Sequence, residues 1–541
     1  MTRDEKRDEK RDERPDRRGT SRGGPGDGGR AVRVRGTLGA LGEAELALLL
    51  DRSTSSDAAV RERTAAIVAR VRREGDAALL ALAEELDGVT LDALEVPRAA
   101  WDAALAALDP ALRRAMERSA RNLATAHAVQ RPVASEVETE PGVTVGRRPD
   151  ALRRVGVYAP GGRAAYPSSV LMGVVPARVA GVEEIVVCSP PGANGLPSAV
   201  VLAAAALGGA HRVFALGGAG AVAAMAYGTE TVPPVDRIVG PGNAYVAEAK
   251  LQVSGQVGID APAGPSELLV IADFTADPAL VARELLAQAE HDPRACVVAV
   301  AVGEELAADV ETAVLRLLPT QACGEVAAEA LLARGAVLAA RDYDEAVTFA
   351  NLYAPEHLLL VVADADAPGL LARLRNAGTV FVGASASVAF GDYMTGANHV
   401  LPTGGLARSY SGLGTLDFMR WTTYQRVTPA AAARLAGDVA RFAESEGLPG
   451  HAAAAGWWGE GGGAVGGGQG AAGGDRGSAD SDRGGRTGAG ARGAPPERHD
   501  AAGPPADHHP SPASRTPSPH PDPDAPAAPE PRTQTPDRRP S

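Results

Sequence analysis

Short runs of unbroken apolar sequence recur through the middle of this 541-residue chain, at 155–158, 185–188, 213–216, 268–271, 296–302, 358–362 and 380–382. They are short for helices, and they do not alternate apolar with polar residues as a strand with one wet face does. Strands covered on both faces fit them best, and most of the intervening stretches are Ala-rich and helical in character. Strand and helix repeated in this way predict parallel sheets clothed in helices, an α/β fold. Ahead of the runs, Asp57 can cap a helix whose Val60, Ile67, Val68 and Val71 share one face. Gly75 can end it, and Asp76 can open a second helix that runs to Gly88.

The two ends differ from this middle. Residues 1–30 are a run of alternating charge followed by glycine, and from 456 onward the chain turns to GGGAVGGGQG and then to Pro, Asp, Arg and His. Neither has the apolar content to offset the entropy of ordering, so both are expected to be disordered tails. The net charge of -13 and the scattered arginines give no basic stripe, which argues against a nucleic-acid partner. No apolar stretch approaches the ~20 residues that span a bilayer, and the charged start carries no secretory core. A cytoplasmic protein without a membrane partner is expected. Cys188, Cys296 and Cys323 stand far apart without metal spacing, and the first two fall in apolar runs as plain core residues.

Glycine turns follow several expected strands: 159–162 after the first, 217–220 after the third, and 240–243 after Arg237-Ile238-Val239. Strand, glycine turn and helix together bring backbone amides to a phosphate. Gly218-Ala219-Gly220-Ala221-Val222-Ala223 fits the dinucleotide fingerprint, a weak match in a chain so rich in Gly and Ala. Histidine is more telling. Of the six outside the tail, His291, His357, His399 and His451 sit in polar clusters: Gln288 to His291, Glu356-His357, Asp392 to His399, and Glu446 to His451. Imidazole with carboxylate binds borderline divalent metals and moves protons near neutral pH, so a metal-assisted active site is expected.

These segments resemble the histidinol dehydrogenases. GVYAPGG (156–162), YGTETVPPVDRIVGPGNAYVAEAK (227–250), DAPAGPSELLVIAD (260–273), LLAQAEHDP (285–293), NLYAPEHL (351–358), GDYMTGANHVLPT (391–403) and EGLPGH (446–451) carry the resemblance in the correct order over roughly 35–455. It implies NAD-dependent oxidation of L-histidinol through L-histidinaldehyde to L-histidine, the last step of histidine biosynthesis. The implied fold has two incomplete Rossmann-like domains with small helical N- and C-terminal domains. On that pattern 31–55 is a small N-terminal segment, 56–157 with 266–410 a first, discontinuous Rossmann-like domain, and 158–265 a second that binds NAD. Residues 411–455 form a small C-terminal domain that crosses to the partner of a homodimer, and 456–541 are tail.

The resemblance also assigns roles. Glu356 would activate water and His357 would act as base. Zinc, one per subunit, would be held by Gln288, His291, Asp392 and His451, and Gln288 and His291, three apart, would share a helix face. Substrate would meet Ser266, Gln288, His291, His357, Asp392, His399, Glu446 and His451. Tyr158 and Asn243 match NAD contacts. The third such position is usually glutamine in a GGAQA segment; Gly220 stands there, which puts NAD contacts rather than chemistry in doubt. The chemistry is consistent, since an alcohol taken to a carboxylate needs a base, an activated water and two hydride departures, and no cysteine beside a polar cluster offers a thiohemiacetal route. Three other readings stay open: a zinc dehydrogenase of another polar alcohol, a zinc hydrolase, and a non-catalytic binding protein.

Overall fold

The computed structural model describes residues 30–52, 57–161 and 165–460. The stretch 1–29 and the tail from 461, both expected to be disordered, lie outside the described residues. In chain order the strands are β1 Val34–Thr37, β2 Ser135–Glu140, β3 Val143–Ala151, β4 Arg154–Tyr158, β5 Glu184–Ser189, β6 Arg212–Ala215, β7 Arg237–Val239, β8 Gly258–Ile259, β9 Glu267–Ala272, β10 Cys296–Val302, β11 Ala336–Ala340, β12 His357–Val361, β13 Thr379–Val382 and β14 Met419–Val427. They form a parallel six-stranded sheet β1-β11-β10-β9-β12-β13, a parallel five-stranded sheet β6-β5-β4-β7-β8, and an antiparallel sheet β14-β3-β2. This is the expected α/β class.

Unbroken hydrophobicity follows from two-sided burial. In β9, Leu268, Val270 and Ala272 enter one core with the helices Pro278–Ala289 and Glu304–Leu317, while Leu269 and Ile271 enter a second with the helix Tyr343–Tyr353. Successive strand residues point to opposite faces, so a strand between two helical layers has no wet face to mark with polar residues.

The expected helix at 57 forms as read: it spans Ala58–Glu74, and Asp57 accepts hydrogen bonds from Ala59 N at 2.9 Å and Val60 N at 3.3 Å. Its placement departs from the expected domain boundaries. With Asp76–Leu82, Arg98–Ala107 and Pro110–Ala128 it shares the core of the five-stranded sheet, where Val68, Val71, Leu79, Leu82, Trp101 and Leu123 are buried. β4, expected in the first domain, is that sheet's central strand. β1, expected in a separate N-terminal segment, is the edge of the six-stranded sheet, pairing Val34 with Ala336. Periodicity identifies a helix's apolar face but not the sheet that covers it.

The C-terminal region is a long strand followed by a helical pair. β14 pairs with β3 from Met419–Ala151 to Val427–Val143. The helices Pro429–Ser445 and Pro449–Gly459 pack mainly on each other. Residues 456–459 therefore belong to a helix rather than to a tail. Trp457 and Trp458 meet edge to face at 4.9 Å there, supplying apolar surface that the neighbouring glycine-rich composition obscures. Among the described residues no helix is long and apolar enough to cross a membrane.

Candidate active site

β9 and β12 run side by side, so their amino ends lie at one sheet edge, with Ser266 half-buried before one and Glu356 buried before the other. The first residues of parallel strands present N–H groups outward, and two glutamates satisfy them reciprocally. Glu267 N donates to Glu356 Oε2 at 2.8 Å, and Glu356 N donates to Glu267 Oε2 at 3.3 Å. The approach to Glu356 is a tight turn. Ala354 has φ 52°, the one non-glycine among the described residues in the left-handed region, which costs about 1–2 kcal/mol. Gly378 closes the other side, where a Cβ would lie 2.6 Å from Glu356 O.

His357 opens β12 and is buried. Its Nδ1–H donates to Glu267 O at 2.9 Å, which in the neutral ring leaves the lone pair on Nε2, and Nε2 is buried without a hydrogen-bond partner, 3.8 Å from Asp392 Oδ1. Burial disfavours its charged form, but the Glu356 and Asp392 carboxylates outweigh burial and push its pKa up to about 9. The result is a fixed ring orientation with a buried, unpartnered nitrogen of raised basicity.

His399 lies in the loop after the short helix Val388–Tyr393. Its Nδ1 bonds Asp392 O at 3.0 Å and its Nε2 lies 3.4 Å from Ser169 Oγ, on the helix Pro167–Ala180 of the other sheet. Burial holds this imidazole below its ordinary value. The loop is docked on the five-stranded half: Asn398 Nδ2 donates to Met172 O at 2.8 Å and Asn122 Nδ2 to Met394 O at 2.7 Å. A Cβ on Gly396 would meet Asn122 O at 2.6 Å, and its φ of 91° also calls for glycine. Glu356, His357, Asp392 and His399 thus come together between the two parallel sheets, with Glu267 and Ser169, which sequence reasoning missed.

Of the remaining expected ligands, Gln288 is buried in the last turn of Pro278–Ala289, and His291 follows that helix exposed, with Nδ1 on Ala287 O at 3.1 Å. Val388 N donates to Glu284 Oε2 on the same helix at 3.2 Å, and Asp392 lies four residues beyond Val388. Burial and the charges of Asp392 and Glu290 raise the Tyr393 hydroxyl. Amide oxygen, imidazole and carboxylate are a donor set that suits a borderline divalent cation. Glu446 and His451 stand exposed on the C-terminal helical pair. Among the described residues no three His, Cys, Asp or Glu form a group able to hold a metal, so His451 does not join His291 and Asp392 within one chain.

A second concavity of about 470 Å³ lies at the carboxyl edge of the five-stranded sheet, lined by Tyr158, Gly217 to Gly220, Asn243 and Asp87. Strand order reverses there between β4 and β7, the place where parallel sheets open a crevice. Tyr158 OH accepts from Gly218 N at 3.1 Å, and burial pushes the phenol up to about 12. Asn243 caps Ala244–Val253 through Oδ1, at 3.0 Å from Tyr245 N, leaving its Nδ2 free of that cap. Gly240, φ 114°, passes so close that a Cβ would sit 2.1 Å from Tyr158 O. Behind it, Asp260 accepts from Gly240 N at 2.7 Å and pairs with buried Lys250, which donates to Gly240 O at 3.1 Å. Gly220 is buried in the first turn of Gly218–Tyr227, the helix start expected to face a phosphate. Burial raises the thiols, that of Cys296 to about 12, so neither Cys188 nor Cys296 offers a thiolate.

Comparisons with known proteins give the family of the chain. The family model described as histidinol dehydrogenase matches residues 50–457. A histidinol dehydrogenase of Methanosarcina mazei is 46% identical over 411 residues, covering 76% of this chain and 94% of that protein. One from Halobacterium salinarum is 50% identical over 406 residues, 75% of this chain and 94% of its own. The crystal structure of histidinol dehydrogenase from Elizabethkingia anophelis superimposes with a TM-score of 0.75 at 33% identity, covering 80% of this chain and 99% of that one. The chain belongs to the histidinol dehydrogenase family.

Proposed function

We propose that this protein oxidises L-histidinol through L-histidinaldehyde to L-histidine, a four-electron oxidation that reduces two NAD and completes histidine biosynthesis. The observation that carries the reading is His357 Nε2: a buried nitrogen with no hydrogen-bond partner, on a ring whose Nδ1 side faces the Glu356 carboxylate and whose Nε2 side faces that of Asp392, at the junction of two parallel sheets. Nε2 takes the hydroxyl proton of the alcohol and later that of the aldehyde hydrate. Glu356, whose Oε2 is pinned by Glu267 N, takes a proton from the water that forms the hydrate. His399, held neutral by burial, positions the substrate beside Asp392. Tyr158, Gly220 and Asn243 line the cleft for NAD, which accepts hydride when bound. Gln288, His291, Asp392 and His451 would hold zinc, whose contribution is to orient the imidazole and amine of histidinol.

A homodimer fits this arrangement. On the C-terminal helical pair Phe442 is 70% exposed and Trp457 50%, an apolar surface on the element that presents Glu446 and His451 to solvent. We take this pair to cross to a second copy and complete its site. Three free cysteines suit a reducing, cytoplasmic setting. The test is NADH formation by purified, zinc-supplied protein with L-histidinol. Two NADH per histidinol, with histidine as product, is the expected result; histidinol left unconsumed by a folded, zinc-loaded dimer would sink the proposal.

A further inference from the structure

Glu267 and Arg52 have no place in the chemistry above, yet they are tied to both of its acid-base residues. Each side chain is only 2% exposed, and Arg52 Nη1 meets Glu267 Oε2 at 2.7 Å. The guanidinium also donates to Tyr353 O and lies 3.5 Å over the Tyr353 ring. Glu267 Oε1 accepts from Gly404 N at 2.7 Å, and Oε2 from Glu356 N at 3.3 Å. Its own backbone N–H holds the Glu356 carboxylate, and its carbonyl holds His357 Nδ1–H. One residue therefore anchors the water-activating carboxylate, the amide behind it and the imidazole tautomer.

We propose that the buried Arg52–Glu267 pair is the positioning element of this active site, fixing Glu356 and the Nδ1–H tautomer of His357 so that Nε2 faces the substrate. The inference rests on His357 acting as the base. Glu267 receives only N–H donors at its carboxylate, so it must stay an acceptor on both oxygens. Burial works against that, holding the carboxyl up to about 7, and the Arg52 cation opposes it. A buried ion pair is a poor device for stability, since apolar side chains of similar volume often serve as well. At this sheet edge it supplies what apolar groups cannot: three fixed acceptor bonds that keep the left-handed Ala354 turn and Glu356 in place.

The test separates positioning from packing. Glu267→Gln and Arg52→Met should each lower kcat about 100-fold, the scale of a small misplacement, with little change in KM for histidinol or NAD. The paired apolar variant Arg52→Met/Glu267→Leu should regain the melting temperature lost in the single variants while kcat stays low. Recovery of kcat together with stability would mean a merely structural role and would overturn the proposal. Nitrogen chemical shifts of His357 in the same variants, recorded above the raised pKa of about 9 so that the ring is neutral, read the tautomer without any substrate. A mixture of tautomers or rotated imidazoles is expected, and an unaltered Nδ1–H form in Glu267→Gln would refute the positioning role even if histidinol proved the wrong substrate.

Discussion

Gly220→Gln should tighten NAD binding without harming the fold. The backbone there has no left-handed φ, and a Cβ would meet Leu82 Cδ1 at 3.4 Å and Leu79 Cδ2 at 3.5 Å, ordinary van der Waals contact. Beyond Cβ the side chain can extend into the cleft, which Gly220 lines with Tyr158 and Asn243. Replacing glycine inside the helix Gly218–Tyr227 removes an entropic cost of roughly 0.5–1 kcal/mol, so melting should move up, not down. One regained amide hydrogen bond is worth about 0.5–1.5 kcal/mol, or about threefold to tenfold in Kd. Calorimetric titration of NAD into both proteins reads this directly, with kcat expected to change little because position 220 touches no acid-base group. An NAD affinity left the same or weakened in a well-folded variant would refute the reasoning and mean that the cofactor does not pass over this helix start.

The pH dependence of the first hydride transfer should show a base limb. His357 must be neutral to accept a proton and its pKa is raised to about 9, so single-turnover rates should climb with pH until about 9; a plateau already reached at 6.5 would contradict that role. Lys250→Met strands Asp260 without its cation and should cost about 3–5 kcal/mol by thermal melting. The sign of its pH dependence is fixed: burial places Asp260 above its unfolded pKa, so its contribution is full below the unfolded value and lost as pH rises through the folded one. The deficit in Lys250→Met should therefore shrink on acidification, and a deficit that grows in acid would count against the assignment. Gly240→Ala should cost at least about 1–3 kcal/mol from its φ alone and should abolish NAD binding, because Tyr158 O must move; unchanged titration would show that the turn is not part of the cleft.

Much of the fold was legible because parallel strands between helical layers leave an unambiguous trace. β4, β5, β6, β9, β10, β12 and β13 all coincide with apolar runs. β11 escaped because AVLAA follows an Ala-rich helix, Gly324–Arg334, and differs from it in little beyond an intervening Gly335. β2, β3 and β14 escaped because they are exposed or mixed in character, their order coming from pairing with each other. Glu356, His357, Asp392 and His399 were legible as polar clusters. Arg52 and Glu267 were not, for their bond joins residues 215 apart and a glutamate opening an apolar run looks like a strand edge. Ser169 is one hydroxyl in a helix start until the fold brings His399 to it.

The two sheets put their sites on edges of opposite polarity, and the chemistry follows from that. At the carboxyl edge of the five-stranded sheet, glycine turns lead into helix amino ends, where free N–H groups and the helix dipole favour the anionic part of a dinucleotide. At the amino edge of the six-stranded sheet the strands themselves begin, and their first N–H groups need acceptors. Glu267 and Glu356 supply them, and the Glu356 carboxylate, with that of Asp392, makes the His357 imidazole more basic, not less. A base placed at a helix amino end would have been made less basic by the same dipole that suits phosphate. On the proposed roles, proton removal and cofactor binding thus call for opposite local fields, and the Ser169–His399 contact ties the helix following β4, which belongs to the cofactor-side sheet, to the loop beside His357.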